Sequence, residues 1–213
     1  MGRRALPLLL IALGTTAITA TALAKTERGT KGRDKLVGTS KRDRLFGSGG
    51  RDKLIGRGRA DRLVGGKGRD LLRGNKGNDR LRGNRGPDRL KGGPGDDDLA
   101  GGLGSNKLQG GPGDDLLTGG TRSNRLFGGP GEDALFSRAG GGTIDGGPGA
   151  DEINTLDGEL IDAPGDDRIL ARDGSEDEIN CGDGEDVAVV DLAEEGVVDC
   201  ETVFEPGGRV IRR

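Results

Sequence analysis

The chain has 213 residues, a net charge of −3, 45 glycines and only 2% aromatic residues. With 31% apolar and 32% charged residues, a non-repetitive chain would bury too little surface to offset its conformational entropy. Histidine is absent, which excludes a Ser-His-Asp triad, a Cys-His pair and a histidine-ligated zinc.

Residues 1–24 read MGRRALPLLLIALGTTAITATALA: a basic pair (Arg3, Arg4), an apolar stretch, then Ala22-Leu23-Ala24 as a cleavage signal. This is the pattern of a secretory signal peptide, giving an exported mature chain from Lys25. The alternative is a membrane anchor, against which Thr15, Thr16, Thr19 and Thr21 interrupt the apolar run. No later run is long and apolar enough to span a bilayer, so no transmembrane segment is expected in the mature chain.

From Gly29 to Asn154 the chain divides into fourteen nonapeptides without a gap. Position 1 is glycine except at Ser137, and position 8 is leucine from Leu36 to Leu135, then Ile144 and Ile153. Position 6 is aspartate except at Asn106, Asn124 and Gly142. Six residues rich in Gly, Asp and Asn make a turn. The following three make a short strand whose central side chain points one way and its neighbours the other. One such strand cannot bury its leucine alone; stacked coils build a continuous core.

The charge is uneven. Residues 25–91 hold 22 basic and 8 acidic side chains, whereas 92–213 hold 9 basic and 28 acidic. In the basic part, Lys or Arg fills position 5, position 7 or both in every repeat. Lys35, Lys53 and Arg89 fall in one row; Arg44, Arg62 and Arg80 fall in another. Like charges stacked on successive rungs repel. Three accounts stand: a solvated face, internal compensation by Arg33, Arg42, Arg51 and Arg69 folded onto the aspartates, or an external polyanion. Among polyanions an anionic cell-surface polymer is favoured over nucleic acid, because no aromatic side chains interleave the charges.

From residue 92 the loops alternate. GGPGDD at 92 and 110, GGPGED at 128 and GGPGAD at 146 recur every eighteen residues, while GGLGSN, GGTRSN and SRAGGG between them lack the aspartate. Proline at Pro94, Pro112, Pro130 and Pro148 pre-sets φ in the intact series. After Asn154 the period breaks; residues 155–161 read as a shortened repeat, and DAPGDDRI at 162–169 restores the phase. Cys181 and Cys200 are the only cysteines. In an exported chain the simplest reading is a disulfide, worth roughly 3 kcal/mol in the chain-entropy model; free thiols or a metal pair are the alternatives.

The repeat G-G-x-G-x-D-x-U-x closely resembles the hemolysin-type (RTX) calcium-binding nonapeptide. The resemblance covers nearly all of the mature chain, and the tail DEINCGDGEDVAVVDLAEEGVVDCETV is similar to an ending of secreted bacterial proteins of this kind. It implies an all-β fold, a right-handed parallel β-roll with two nonapeptides per coil of eighteen residues and a C-terminal, disulfide-linked cap. It also implies several Ca²⁺ ions between stacked loops, held by position-6 carboxylates and by carbonyls of the glycine turns. Carried onto this chain, the ligands are Asp70, Asp79, Asp88, Asp97, Asp115, Asp133, Asp151, Asp167 and Asp186, with Gly93, Gly95, Gly111, Gly113, Gly129, Gly131, Gly147 and Gly149. Oxygen-rich sets of this type suit a hard cation.

The expected organisation is a signal peptide (1–24), a basic β-roll part (25–91), an acidic calcium-binding part (92–154) and degenerate repeats with a cap (155–213). No catalytic residues are expected, and the chain reads as a non-enzyme. Two functions stand open: a secreted calcium-binding protein that folds on Ca²⁺, with a structural or surface role, or an extracellular adhesion protein gripping an anionic surface through its basic half. An ice-binding roll would need regular outward threonine rows, which the sequence lacks.

Overall fold

The computed structural model describes residues 23–137 and 143–155 and, beyond them, the strands Leu160–Asp162, Arg168–Ala171, Glu178–Asn180, Val187–Val190, Thr202–Phe204 and Val210–Arg212. The signal peptide up to residue 22, Asp167, Asp186 and both cysteines with their expected disulfide lie outside the described residues.

The chain is a parallel β-solenoid, and no helix occurs among the described residues. Strands alternate between two sheets. The first carries Arg44–Gly49, Arg62–Lys67, Arg80–Arg85, Asp98–Leu103, Leu116–Gly120, Ala134–Phe136 and Glu152–Thr155 in that spatial order, with Thr26–Arg28 at its start. The second carries Lys35–Val37, Lys53–Gly58, Leu71–Lys76, Arg89–Lys91, Lys107–Gln109, Arg125–Phe127 and Thr143–Asp145. Each residue pairs with the one eighteen positions on: Leu81 with Leu99, Leu99 with Leu117, and Leu90 with Leu108. Both sheets run without interruption across residue 91, where the charge changes sign.

The period of nine builds the core. Leu45, Leu54, Leu63, Leu72 and Leu81 are 0% exposed, and burial continues to Ile144 and Ile153. The core is a single file of position-8 side chains fed alternately from the two sheets. Each fully buried leucine contributes about 1.5–3 kcal/mol. No other apolar layer is needed, because each rung covers the next.

Past Asn154 the coil shortens. Ile144 pairs with Ile161 and Ile153 with Ile169, offsets of seventeen and sixteen residues, so the degenerate repeat is absorbed within one coil. Ile161 then pairs with Ile179 at the original spacing. The first sheet ends on Thr202–Phe204, against which Val210–Arg212 runs antiparallel. Val210–Arg212 is itself the last strand of this sheet.

Candidate metal centre

The loops stack as regularly as the strands. Gly77 N–H donates to the Pro94 carbonyl at 2.9 Å, Gly95 to Pro112 at 2.9 Å and Gly113 to Pro130 at 3.0 Å. Within the loop the chain turns through left-handed conformations at positions 2 and 4. Gly93, Gly95, Gly111, Gly113, Gly129, Gly131, Gly147 and Gly149 all have φ between 94° and 148°. At Gly111 the reason for glycine is twofold: a Cβ would be strained at φ 130° and would lie 2.3 Å from the Gly93 carbonyl oxygen of the preceding coil.

From Asp43 to Asp151 the described position-6 side chains are buried, and each accepts a hydrogen bond from the coil before it. Asp97 N–H donates to Asp115 Oδ1 at 2.7 Å, Asp115 N–H to Asp133 Oδ1 at 2.7 Å, and Asp133 N–H to Asp151 Oδ1 at 2.8 Å. The same ladder continues back through Asp79, Asp61 and Asp43, where the Lys25 N–H ends it. A second ladder on the other edge runs Asp34, Asp52, Asp70, Asp88, Asn106, Asn124. One oxygen of every position-6 carboxylate from Asp43 to Asp151 is thus committed to the fold.

The second oxygen separates three kinds of loop. In the first loop of each edge it is satisfied locally. Thr30 donates its N–H and hydroxyl to Asp34 Oδ2, at 2.7 and 3.0 Å, and Thr39 does the same for Asp43. At Asn106 and Asn124 the atom is an amide nitrogen. Asn106 Nδ2 donates to the carbonyls of Gly104 at 3.0 Å and Gly102 at 3.4 Å; Asn124 Nδ2 donates to those of Arg122 and Gly120. In the remaining loops, Oδ2 of Asp52, Asp61, Asp70, Asp79, Asp88, Asp97, Asp115 and Asp133 is buried and accepts no hydrogen bond.

The asparagine loops show what that oxygen faces. Asn106 Nδ2 sits over the position-1 glycine, 2.6 Å from where a Cβ on Gly101 would be; Asp115 Oδ2 sits 2.1 Å from the same point on Gly110. Loops 101–106 and 110–115 share left-handed φ at positions 2 and 4, with Gly102 at 88° and Gly104 at 122°. An aspartate in this register therefore directs a carboxylate oxygen toward the carbonyls to which asparagine donates. Oxygens gathered in a buried site repel one another unless a cation lies among them. The crowding also explains position 1. Its one exception, Ser137, belongs to the loop whose position 6 is Gly142, which has no carboxylate to accommodate.

The electrostatics agree. Burial pushes the carboxyls of Asp79 and Asp115 up to about 8 and those of Asp88, Asp97 and Asp133 to about 7, only partly offset by the ladder hydrogen bonds. Asp61 and Asp151 are pushed up to about 6, and Asp52 and Asp70 are raised, for the same reason. Neighbouring carboxylates push Asp115 further up. By the asparagine contacts, the oxygens that a loop brings together are one carboxylate oxygen and main-chain carbonyls, a set that suits a hard cation.

The model of the RTX calcium-binding nonapeptide repeat matches the chain in four copies, over residues 28–58, 55–90, 73–108 and 109–144. The chain belongs to this family. Calcium is accordingly the cation of these RTX repeats, in agreement with the oxygen-only donor set. No curated protein and no solved structure matches the chain.

Against this geometry the sequence-derived ligands divide clearly. Asp70, Asp79, Asp88, Asp97, Asp115, Asp133 and Asp151 all stand in the two ladders, and the eight glycines form the turns beside them. Asp52 and Asp61 were not among the expected ligands, yet their second oxygens are as bare as that of Asp115. The signal was present at position 6, in a part of the chain where the basic side chains drew the reading toward charge rather than calcium. Arg59 in fact adopts φ 68° and Arg57 φ 98°, so loop 56–61 keeps the turn without its glycines. Internal compensation by Arg33, Arg42, Arg51 and Arg69 is not seen. Among the described residues the ion pairs are Lys25–Glu27, Arg80–Asp98 and Arg82–Asp98.

Proposed function

We propose that the protein is an exported RTX solenoid that folds as it binds calcium and serves a structural, non-catalytic role outside the cell. The observation that carries this reading is the file of buried, unpartnered Oδ2 atoms on Asp61, Asp79, Asp97, Asp115 and Asp133, one per coil on one edge. Bound calcium supplies the positive charge that these oxygens and the loop carbonyls share. The chain's part is to hold each carboxylate by one oxygen, turn the second inward and bring glycine carbonyls to it. The ligands are the position-6 aspartates from Asp52 to Asp133, with Asp151. Asp167 and Asp186 extend the set by sequence, and the Cys181–Cys200 disulfide closes the cap. Export is supported by the n-region, apolar run and A-x-A site of residues 1–24.

Because a site built from stacked coils does not exist in the unfolded chain, binding free energy becomes folding free energy. Far-UV circular dichroism of the mature protein is expected to show little β signal in EGTA and to gain it with millimolar Ca²⁺. A fully formed spectrum in EGTA at pH 8 and above would refute the coupling.

A further inference from the structure

Beyond the loops, the edge bearing Asn106 and Asn124 carries a groove of about 480 Å³. Four cations line it: Arg69, Arg89, Lys107 and Arg125. The last three are direct register partners, so one positive side chain projects from each successive rung at a spacing of ~4.8 Å. A smaller groove of about 170 Å³ extends the row toward the N-terminus through Arg33, Arg51 and Lys53 and shares Arg69 and Arg89. The row therefore continues past residue 91 into the part of the chain whose net charge is negative.

The opposite edge behaves differently at the same boundary. There Asp98 receives Arg80 at 3.1 Å and Arg82 at 2.6 Å. Burial alone would raise the Asp98 carboxyl, but the Arg82 and Arg80 guanidiniums outweigh it and hold it below the usual range. At that rung the edge closes its own charge, while Arg44 and Arg62 on the rungs before it form no ion pair among the described residues. Among the described residues no carboxylate pairs with Arg69, Arg89, Lys107 or Arg125. Asp88 lines the larger groove and Asp52 and Asp70 the smaller one, whereas asparagine at 106 and 124 leaves the C-terminal half of the row without a carboxylate beneath it.

We infer that this groove binds a linear acidic polysaccharide, a glycan with a carboxylate or sulfate on successive sugars. The row is straight, recessed and regular, and an extended pyranose chain advances per sugar by about one strand spacing. The hydroxyls of Ser105 and Thr143 in the same groove suit sugar hydroxyls. A nucleic acid strand would need free aromatic faces, and the one nearby, Phe127, lies under the Lys107 ammonium at 4.8 Å. A flat lipid surface does not follow a groove.

The test uses the full mature chain in millimolar Ca²⁺, with a heparin hexasaccharide and a hexagalacturonate as the sulfated and carboxylated probes, by isothermal titration calorimetry at low and high salt. The inference needs a folded solenoid, so circular dichroism accompanies each sample: a lost β signal bears on the calcium reading, lost binding with the signal intact on this one. At least one probe is expected to bind and to weaken with salt. Arg89→Glu/Lys107→Glu/Arg125→Glu should weaken it by roughly tenfold or more, the milder Lys107→Gln/Arg125→Gln by less, and Arg44→Glu/Arg62→Glu/Arg80→Glu on the opposite edge little. No binding of either probe, equal losses from both edges, or tighter binding of single-stranded DNA or anionic vesicles than of both glycans would overturn the inference.

Discussion

The two edges of this solenoid share a hydrogen-bond ladder and a leucine core, and from residue 97 onward their position-6 side chains differ at one terminal atom where asparagine replaces aspartate. On one edge Asp97, Asp115 and Asp133 present an oxygen to the loop; on the other Asn106 and Asn124 present an amide nitrogen. The nitrogen donates to carbonyls that the oxygen can only repel. The amide thus performs internally what a cation must do from outside. A neutral side chain of nearly the same shape can replace a metal site without disturbing the coil, since the coil is held by the other oxygen.

The sharpest way to break this comparison is to delete one side chain from each edge. Asp115→Ala removes a ladder bond and a calcium ligand and is expected to cost about 3 kcal/mol in saturating Ca²⁺, with a lower calcium stoichiometry. Asn124→Ala loses only hydrogen bonds and should cost about 1 kcal/mol with the stoichiometry unchanged. Equal costs by urea denaturation would mean that the edges do not differ in calcium.

The next largest effect is of pH on the calcium-free chain. The carboxyls of Asp79, Asp88, Asp97, Asp115 and Asp133 are raised from 3.8 to about 7 or 8 by folding. A group whose pKa folding raises stabilises the fold fully below its unfolded value and loses that contribution as pH rises through the folded one. In EGTA, β structure should therefore be favoured near pH 4 and disappear between about 6 and 8. With calcium the trend reverses, because protons compete for the same oxygens. A urea midpoint in EGTA that ignores pH across this window would show that the ladder carboxylates are not strained by burial.

A smaller effect sharpens the comparison. Asn106→Asp restores the oxygen on the asparagine edge. In EGTA it should destabilise the fold by about 1–3 kcal/mol, the cost of one buried unsatisfied oxygen. In Ca²⁺ it should recover most of that and bind one further ion, countable by calcium-sensitive titration. A variant destabilised equally in both conditions would place Asn106 outside any convertible site.

Much of the fold was legible because the repeat states it twice: the leucine period of nine gives the core, and the GGPG loops at eighteen give the coil. Asn106 and Asn124 stood out as exceptions at a position otherwise held by aspartate. The threonine loops were not legible. Thr30 and Thr39 satisfy Asp34 and Asp43 through both hydroxyl and main-chain N–H, and nothing in a composition or period distinguishes such a loop from a metal loop. The bare second oxygens of Asp52 and Asp61 were not legible either, because whether that oxygen finds a partner depends on where neighbouring side chains point. The boundary at residue 91 was a property of the count, not of the surface. In three dimensions one edge changes sign through Asp98, while the other stays positive to Arg125.

The eighteen-residue register also sets which length changes the chain tolerates. Within residues 29–154, removing or duplicating eighteen consecutive residues returns every downstream loop to its own edge. Removing nine preserves the leucine file, and the solenoid can still close. It transposes everything beyond the cut, however, setting Asp115 where Asn106 would have stood and carrying the basic row to the opposite side. A change of length in these repeats is thus read in two frames at once, one for core and one for surface, and only the longer frame keeps both.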